Sequence, residues 1–192
     1  TTMSVDTNLI KSPYKREKFT AQQVEEIVKC TQDPQYFIEN FVWIQHPVKG
    51  RMRFDLFDFQ KGLLDAYHGH RYSIALISRQ MGKSTAAAAY LLWYAMYVPD
   101  QTILIAAHKY SGAQEIMQRI RFAYELLPDH VRAGVTAYNK GSLEFDNGSR
   151  IIAQATTENT GRGLSISLEY LDEFAFVRPT IAREFWTSLS PT

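Results

Sequence analysis

Two short segments of this chain carry residues suited to phosphate chemistry. Residues 74–85 read IALISRQMGKST, an apolar run followed by a polar loop and then Gly-Lys-Ser-Thr. Residues 167–174 read SLEYLDEF, an apolar run that ends in the adjacent carboxylates Asp172 and Glu173. A phosphate-binding loop and a pair of acids can together hold Mg-ATP and orient a water molecule for attack. The order of the two segments and their apolar context favour ATP hydrolysis.

The loop matches only part of the usual phosphate-loop pattern, G-x-x-x-x-G-K-[ST]. Ile77 stands where the first glycine belongs, although Gly82, Lys83 and Ser84 fit. A predicted strand before the loop and a predicted helix after it favour phosphate binding by the helix N-terminus. An ordinary strand–helix turn with a surface lysine is the alternative. The predicted nucleotide-binding residues of this segment are Ser78, Arg79, Gln80, Met81, Gly82, Lys83, Ser84 and Thr85.

Individual roles follow from the chemistry of these side chains. Lys83 would contact the β- and γ-phosphate oxygens, and Ser84 would bind Mg²⁺ with support from Thr85. Asp172, at the carboxyl end of a predicted strand, would hold Mg²⁺ through water. Glu173 would orient or activate the attacking water. A turn that caps a following helix is the alternative for the two acids.

Three further residues, together with Arg79 of the loop, are candidates for contacts with the nucleotide. The Gln60 amide could pair with the adenine edge, and the Phe59 ring could cover the base. The alternative for Gln60 is an ordinary residue at a helix start. Arg79, and Arg162 between two glycines, could each bring a guanidinium to a phosphate, so both are catalytic candidates along with Lys83 and Glu173. Solvent-exposed loop arginines are the alternative.

Composition limits the remaining possibilities. The 192 residues carry a formal net charge of +1, which gives no overall argument for a nucleic-acid partner. Cys30 is the single cysteine, so an internal disulfide is excluded. The five histidines show no metal-ligand spacing. No apolar run is long enough to span a bilayer, and the N-terminal residues lack the apolar stretch of a secretory signal.

The pattern of apolar residues predicts a flexible arm at 1–18, a helical N-terminal subdomain at 19–55 and an ATPase core at 56–192. Buried strands alternate with helices in the core, which predicts an α/β fold with a mostly parallel sheet and helices on both faces. The sequence stops without a closing strand, so the sheet is expected to be incomplete at its C-terminus. The predicted helices span 20–28, 34–42, 59–68, 83–97, 111–127 and 180–189; the predicted strands span 73–77, 102–107, 142–145, 150–153 and 168–171, with a turn or hairpin at 48–54.

Several stretches together resemble a known family. They are FDFQKGLL, SRQMGKST, AAHKYSGAQEIMQRI, NKGSLEFDNGSR, TGRG and LEYLDEFAF. From Asp33 to Pro191 the chain resembles the ATPase domain of the large terminase subunit of tailed bacteriophages, in particular its T-even-like branch. The SRQxGK[ST] loop lacks the usual first glycine in that family as well. The resemblance implies the RecA-like (ASCE) class of P-loop NTPases.

The family implies a motor that couples Mg-ATP hydrolysis to the movement of double-stranded DNA into a procapsid. By position, Gln60 matches the adenine motif, and Asp172 and Glu173 match the metal-binding and catalytic acids. The resemblance leaves open whether Arg79 acts within its own subunit or Arg162 reaches a neighbouring one. Implied partners are double-stranded DNA, the portal protein, the small terminase subunit and further copies in a ring on the portal, in the host cytoplasm and without a membrane.

Two parts of the family are expected to lie outside this sequence: the coupling motif, beyond Thr192, and the nuclease domain. We therefore expect no DNA cleavage and weakened ATP turnover. Two other functions remain open, a helicase-like translocase and a nucleotide-binding assembly module that does not hydrolyse ATP alone. The candidate DNA contacts are better explained as solvated faces: Lys11, Lys15, Arg16, Lys18, Lys109, Arg119 and Arg121.

Overall fold

The first two helices begin where local side chains satisfy free backbone N–H groups. The computed structural model describes residues 9–46, 48–70, 82–156, 164–172, 180 and 183. Thr20 and Gln23 form a reciprocal capping box at the start of α1. The Asp33 carboxylate accepts a hydrogen bond from the Gln35 N–H, and Pro34 occupies the first position of α2. Both predicted helix starts are confirmed.

Twelve helices and strands are defined within the described residues. Most lie within two residues of their predicted limits, and the predicted turn at 48–54 closes a hairpin. The predicted strand at 73–77 and most of the predicted helix at 180–189 lie outside the described residues. The elements are α1 (Ala21–Gln32), α2 (Pro34–Phe41), β1 (Trp43–His46), β2 (Gly50–Arg53), α3 (Asp58–Gly69), α4 (Lys83–Tyr97), β3 (Thr102–Ala107), α5 (Tyr110–Glu125), β4 (Val135–Tyr138), β5 (Ser142–Phe145), β6 (Arg150–Ala155) and β7 (Leu168–Asp172).

The larger described sheet has the strand order β4-β5-β6-β3-β7. β3 pairs in parallel with β6 and with β7, whereas β4–β5 and β5–β6 are antiparallel. The described sheet is therefore mixed rather than mostly parallel. One antiparallel pair, β5–β6, is the hairpin that the turn residues Asp146-Asn147-Gly148 favour between the predicted strands 142–145 and 150–153. The other pair involves β4, a short strand that the sequence pattern did not reveal.

The main hydrophobic core lies between the sheet and helices α4 and α5. Ile103 and Ile105 of β3 face this core, whereas Leu104 and Ala106 face the opposite side. In the described part of the chain, Ile166 and its neighbours Leu164 and Leu171 pack on that opposite side. Helices α4 and α5 therefore cover one face of the sheet, and a helix on the other face remains a prediction.

Helix α4 is the centre of the molecule. It is alanine-rich, and ten of its fifteen residues are buried because α2, α3, α5 and β3 all contact it. The side chain of Trp93 donates a hydrogen bond of 2.7 Å to the Cys30 carbonyl, which links α4 to α1. Asn147, in the β5–β6 turn, donates to the carbonyls of Ala95 and Met96, which follow Trp93 closely in the same part of the helix. These hydrogen bonds fix the C-terminal part of α4 against α1 and the β5–β6 turn.

Residues 9–18, the described part of the predicted arm, lie against the edge of the sheet. The Val135 N–H donates to the Lys11 carbonyl at 3.0 Å, and Arg132 donates to the Leu9 carbonyl. Helices α1 and α2 contribute buried residues such as Cys30 and Phe37 to the same core as α4. The core thus continues across the domain boundary predicted at residue 55. None of the described helices has the length and apolar character required to cross a membrane.

Candidate nucleotide-binding site

The start of α4 and the end of β7 meet in space. The Lys83 ammonium lies 3.2 Å from Oδ1 of Asp172, and the two side chains are 31% and 16% exposed. Parallel pairing with β3 sets Asp172 opposite Ala107 at the carboxyl end of both strands. Ligands of open α/β sheets bind at this edge. A cation and a carboxylate predicted to serve one nucleotide therefore occupy one partly open site.

Gly82 allows the chain to enter α4 at a sharp angle. Its φ of +75° lies in the left-handed region, which residues with a side chain rarely adopt. A Cβ atom built on Gly82 would lie 2.6 Å from Nε2 of Gln60. The next three residues, Lys83, Ser84 and Thr85, form the first turn of the helix and are each half-buried. The N–H groups of that turn have no acceptors within the helix, so they favour an anion.

Gln60 connects α3 to the phosphate-loop glycine. The side chain is 2% exposed. Its Oε1 accepts a hydrogen bond from the Phe57 N–H at 2.9 Å, and its Nε2 donates to the Gly82 carbonyl at 3.2 Å. Gln60 therefore holds the loop in place, a role that the sequence pattern did not indicate. Its predicted contact with adenine stays a prediction, for which the amide keeps one further N–H.

Two aromatic rings lie beside Gln60 on the protein surface. Phe57 and Phe59 are 67% and 36% exposed. Their ring centroids are 6.0 Å apart with an angle of 10° between the planes, so the rings stack. Large apolar rings are usually buried, whereas these two are exposed and offer a flat surface to a planar base. Phe59 was predicted in this role, and Phe57 joins it through the stacking.

Two tyrosines border the Lys83–Asp172 pair and were missed at the sequence level. Burial raises the pKa of Tyr67, and the Asp172 carboxylate raises it further. Burial is also the main cause of the raised pKa of Tyr170, with added contributions from Asp172 and Tyr67 and an opposing one from Ser84. Tyr170 lies two residues before Asp172, so both side chains occupy the same face of β7. This spacing of two residues is the sequence signal that could have identified Tyr170 as a neighbour of Asp172.

The Tyr170 hydroxyl provides a test of whether an Mg-nucleotide fits this site. It is buried and, among the described residues, has no hydrogen-bond partner of normal geometry although Ser84 is close. Buried hydroxyls normally find a partner, and a hydrated cation or a phosphate oxygen would supply one. Asp172 and Ser84 offer the oxygen ligands that Mg²⁺ prefers. The described residues contain no cluster of three or more His, Cys, Asp or Glu side chains that would bind a metal without a nucleotide.

A surface depression at the opposite edge of the sheet is chemically unsuitable for a nucleotide. It is lined by carboxylates, among them Asp100, Glu144 and Asp146, with Arg150 at the start of β6. Acidic side chains repel phosphate, and this end of the parallel strands β3 and β6 is their amino end. The chemistry therefore favours the Lys83–Asp172 edge over this depression.

Several predicted site residues lie outside the described residues. They comprise most of the phosphate loop, the second acid and the two arginines. Their roles remain predictions, and the described part of the site consists of Phe59, Gln60, the first turn of α4 and Asp172. The residues outside it are Ser78, Arg79, Gln80, Met81, Arg162 and Glu173.

Comparison with known proteins relates the chain to large terminase subunits. Residues 74–190, more than half of the sequence, match the family described as the N-terminal part of the large terminase subunit of T4-like viruses. The large terminase of bacteriophage HK97 is 23% identical with a TM-score of 0.65; the match covers 84% of this chain and 35% of that one. The large terminase ATPase domain of Thermus phage P74-26 is 21% identical with a TM-score of 0.57, covering 72% of this chain and 60% of that one. The mixed α/β fold therefore resembles these ATPase domains, and the chain spans only part of each relative's length.

Proposed function

Because the chain belongs to the T4-like type of large terminase subunits, we propose that it is the ATP-hydrolysing motor part of a DNA-packaging terminase. In this role it couples Mg-ATP hydrolysis to the movement of double-stranded DNA into a procapsid. The observation that carries the proposal is the 3.2 Å contact between the Lys83 ammonium and Asp172. This contact supports a shared site for the phosphate loop and the first of the paired acids.

The first turn of α4 would hold the phosphates of ATP. Its free N–H groups and the positive end of the helix dipole attract anions. Lys83 lies in that turn beside Asp172, so its ammonium would contact the β- and γ-phosphate oxygens where negative charge develops during the reaction. Gly82 leaves the backbone open to close approach, and Gln60 fixes its carbonyl. Ser78, Arg79, Gln80, Met81 and Thr85 would complete the lining of the phosphate site.

Ser84 and Asp172 would hold Mg²⁺ together with the phosphates, and the nearby Tyr170 hydroxyl would orient one of the oxygens. When bound, Mg²⁺ supplies positive charge that offsets the charge of the transferring phosphate. Glu173 follows Asp172 directly in the sequence. It would accept a proton from the attacking water or orient that water in line with the bond that breaks.

The base of the nucleotide would lie near Phe57 and Phe59. Their stacked rings are exposed beside Gln60, whose Nε2 is within 3.2 Å of the Gly82 carbonyl. A purine that stacks on Phe59 could receive the remaining N–H of the Gln60 amide. The adenine and phosphate subsites would then be connected through a single side chain.

The partners follow from the family and belong to the same proposal. They are double-stranded DNA, the portal protein, the small terminase subunit and further copies of the chain in a ring on the portal. Arg79 within the subunit, or Arg162 from a neighbour, would stabilise charge on the transferring phosphate. Assembly would take place in the host cytoplasm.

A phosphate-release assay tests the proposal. We expect Lys83→Ala and Glu173→Gln each to lower steady-state ATP turnover at least about a hundredfold, because each removes a group that stabilises or activates the reacting atoms. Lys140→Ala, at an exposed turn between β4 and β5, is the matched control and should retain full turnover. Far-ultraviolet circular dichroism confirms that each variant folds.

The outcome also separates the proposed motor from an assembly module. Measurable single-turnover phosphate release by the purified chain supports the motor. Tight ATP binding without release, in the wild type as well as the variants, would favour a module that binds nucleotide and does not hydrolyse it. Wild-type turnover in Lys83→Ala would contradict the assigned site.

A further inference from the structure

The β1–β2 hairpin forms a small ribbon that is separate from the larger sheet. Its antiparallel register pairs Trp43 with Arg53 and Gln45 with Arg51, and it pairs Ile44 with Met52 between them. Directly opposed residues share a face, and faces alternate along each strand. One face of the ribbon therefore carries Trp43, Gln45, Arg51 and Arg53, and the other carries Ile44 and Met52.

The polar face of this ribbon points to solvent. Gln45, Arg51 and Arg53 are exposed, whereas Ile44 packs against the main hydrophobic core and Met52 is half-buried. Helix α5 contacts β1 and helix α2 contacts β2, so the apolar face is attached to the body of the protein. Because a slip of one residue would exchange the two faces, this attachment fixes which side chains are presented.

The charge of this segment differs from that of the chain as a whole. Between Val42 and Phe54 there are three cationic side chains, Lys49, Arg51 and Arg53, and no Asp or Glu, in a protein with a net charge of only +1. Local clusters of this kind attract polyanions even where the total charge is near zero.

The cations of the ribbon are also free of the ion pairs that hold other surface lysines. Across the described residues, Lys49 and Arg51 have no carboxylate within ion-pair distance. Four lysines elsewhere each lie within that distance of a glutamate: Lys11, Lys15, Lys29 and Lys61. Lys49 and Arg51 are therefore exposed charges that remain available to a partner.

Local contacts hold the ribbon rigid. The Arg53 guanidinium lies 4.9 Å from the centre of the Trp43 ring and donates a hydrogen bond to the Asn40 carbonyl. The His46 Nδ1 accepts hydrogen bonds from the N–H groups of Val48 and Lys49, each at 3.1 Å, which fixes the turn. A preformed surface loses less entropy on binding than a mobile one.

We propose that the exposed face of the β1–β2 ribbon is a contact surface for double-stranded DNA. Lys49 and Arg51 contact backbone phosphates, Gln45 lies beside them, and Trp43 and Arg53 keep the ribbon in shape. A two-stranded antiparallel ribbon is narrow enough to enter a major groove, and phosphate contacts by Lys and Arg supply most of the sequence-independent affinity for DNA. The proposal rests on the proposed function in one respect only, that the partner of the chain is DNA, and it assigns a surface outside the nucleotide site.

Fluorescence anisotropy of a labelled duplex, titrated with the full chain at several salt concentrations, tests this proposal. The variant Lys49→Glu/Arg51→Glu reverses both free charges. The control Lys29→Glu/Lys140→Glu makes the same change in net charge at exposed positions of other elements, in α1 and in the turn between β4 and β5. We expect the ribbon variant to lose affinity at least about tenfold, with a salt dependence reduced by about two in the log–log slope, because about 0.9 is lost per phosphate contact. The control should keep most of its affinity and its slope.

Several results would overturn the proposal. They are unchanged affinity in the ribbon variant, an equal loss in the control, or equally strong competition by heparin or single-stranded DNA, which would indicate a general polyanion surface. Failure of the wild type to bind the duplex would overturn it as well. Basal ATP turnover, measured without DNA, should be unchanged in the ribbon variant. If the wild type binds the duplex through the ribbon and yet releases no phosphate, the motor assignment fails while the DNA surface stands.

Discussion

The Lys83 ammonium lies 3.2 Å from Oδ1 of Asp172, so the first residue of α4 and the last residue of β7 form an ion pair at the carboxyl edge of the sheet. The pair brings together two segments that are far apart in the sequence. Within this pair each charge partly neutralises the other. Binding of Mg-ATP would replace this single contact by two, Lys83 with phosphate and Asp172 with the hydrated cation.

The variant Asp172→Asn tests the metal-binding part of the proposed site independently of its phosphate-binding part. The substitution keeps the size of the side chain and removes its charge. In the proposed site, Lys83 would keep its phosphate contact, whereas Mg²⁺ would lose an anionic ligand or water acceptor. We expect the Mg²⁺ concentration for half-maximal ATP turnover to rise by about tenfold to a hundredfold. Titration of Mg²⁺ at saturating ATP measures this change. Asp65→Asn, on the exposed side of α3, is the control and should leave the titration unchanged. An unaltered Mg²⁺ requirement in Asp172→Asn would remove Asp172 from the metal site.

Gly82→Ala should destabilise the fold by two separable effects. The φ of +75° costs a residue with a side chain about 1–2 kcal/mol. The new Cβ would also meet Nε2 of Gln60 at 2.6 Å. In a Gln60→Ala background the second effect disappears, so the double variant should be more stable than the sum of the single changes predicts. Urea denaturation of the four proteins gives this coupling free energy.

A glycine with free space around its Cα provides the control for this comparison of single and double variants. Gly62, within α3, has no atom within 4 Å of the position that a Cβ would take. Gly62→Ala should therefore stabilise the chain by up to about 1 kcal/mol, because alanine favours a helix interior. Strictly additive effects of Gly82→Ala and Gln60→Ala would mean that the contact between these two residues carries no strain.

Sequence patterns predicted the elements whose signals are local. Helix α4 and strand β3 have the predicted bounds because Pro99 and the apolar runs on either side mark their ends. Strand β4 was missed because its four residues are too few to show a period, and its place depends on pairing with β5 and on the Lys11 carbonyl. The contacts of residues 9–18 with the edge of the sheet were equally unreadable, since their partners there lie more than a hundred positions away.

The same distinction applies to the site. Lys83 and Asp172 were predicted to meet because the ends of parallel strands and the helices that follow them share one edge of a sheet. The hydrogen bond from Gln60 to Gly82 was not predicted, since nothing in a sequence shows which backbone carbonyl a buried amide reaches. The position of Tyr170 follows from the period of a strand, but its unpaired hydroxyl becomes visible only once its neighbours are placed.

Stability should fall at alkaline pH because buried acids keep their protons in the folded chain. Burial raises the pKa of the Cys30 thiol from 9.0 to about 12 and that of the Tyr90 phenol from 10.0 to about 12. The unfolded chain releases these protons first, so it binds fewer protons than the folded chain once the pH passes the unfolded values. The contribution of these two groups to the free energy of unfolding is therefore complete below pH 9.0 and is lost as the pH rises toward 12. Urea denaturation at increasing pH measures the decline.

Tyr90→Phe should make that decline shallower, because phenylalanine keeps the buried ring and removes the proton that the unfolded state releases. The loss of the contact between the Tyr90 hydroxyl and His68 lowers stability at every pH, so the slope rather than the absolute value is the relevant quantity. Tyr14→Phe is the matched control, since Tyr14 is 74% exposed and should leave the slope unchanged. If Tyr90→Phe declines as steeply as the wild type between pH 9.0 and pH 12, burial of Tyr90 does not contribute to the alkaline instability.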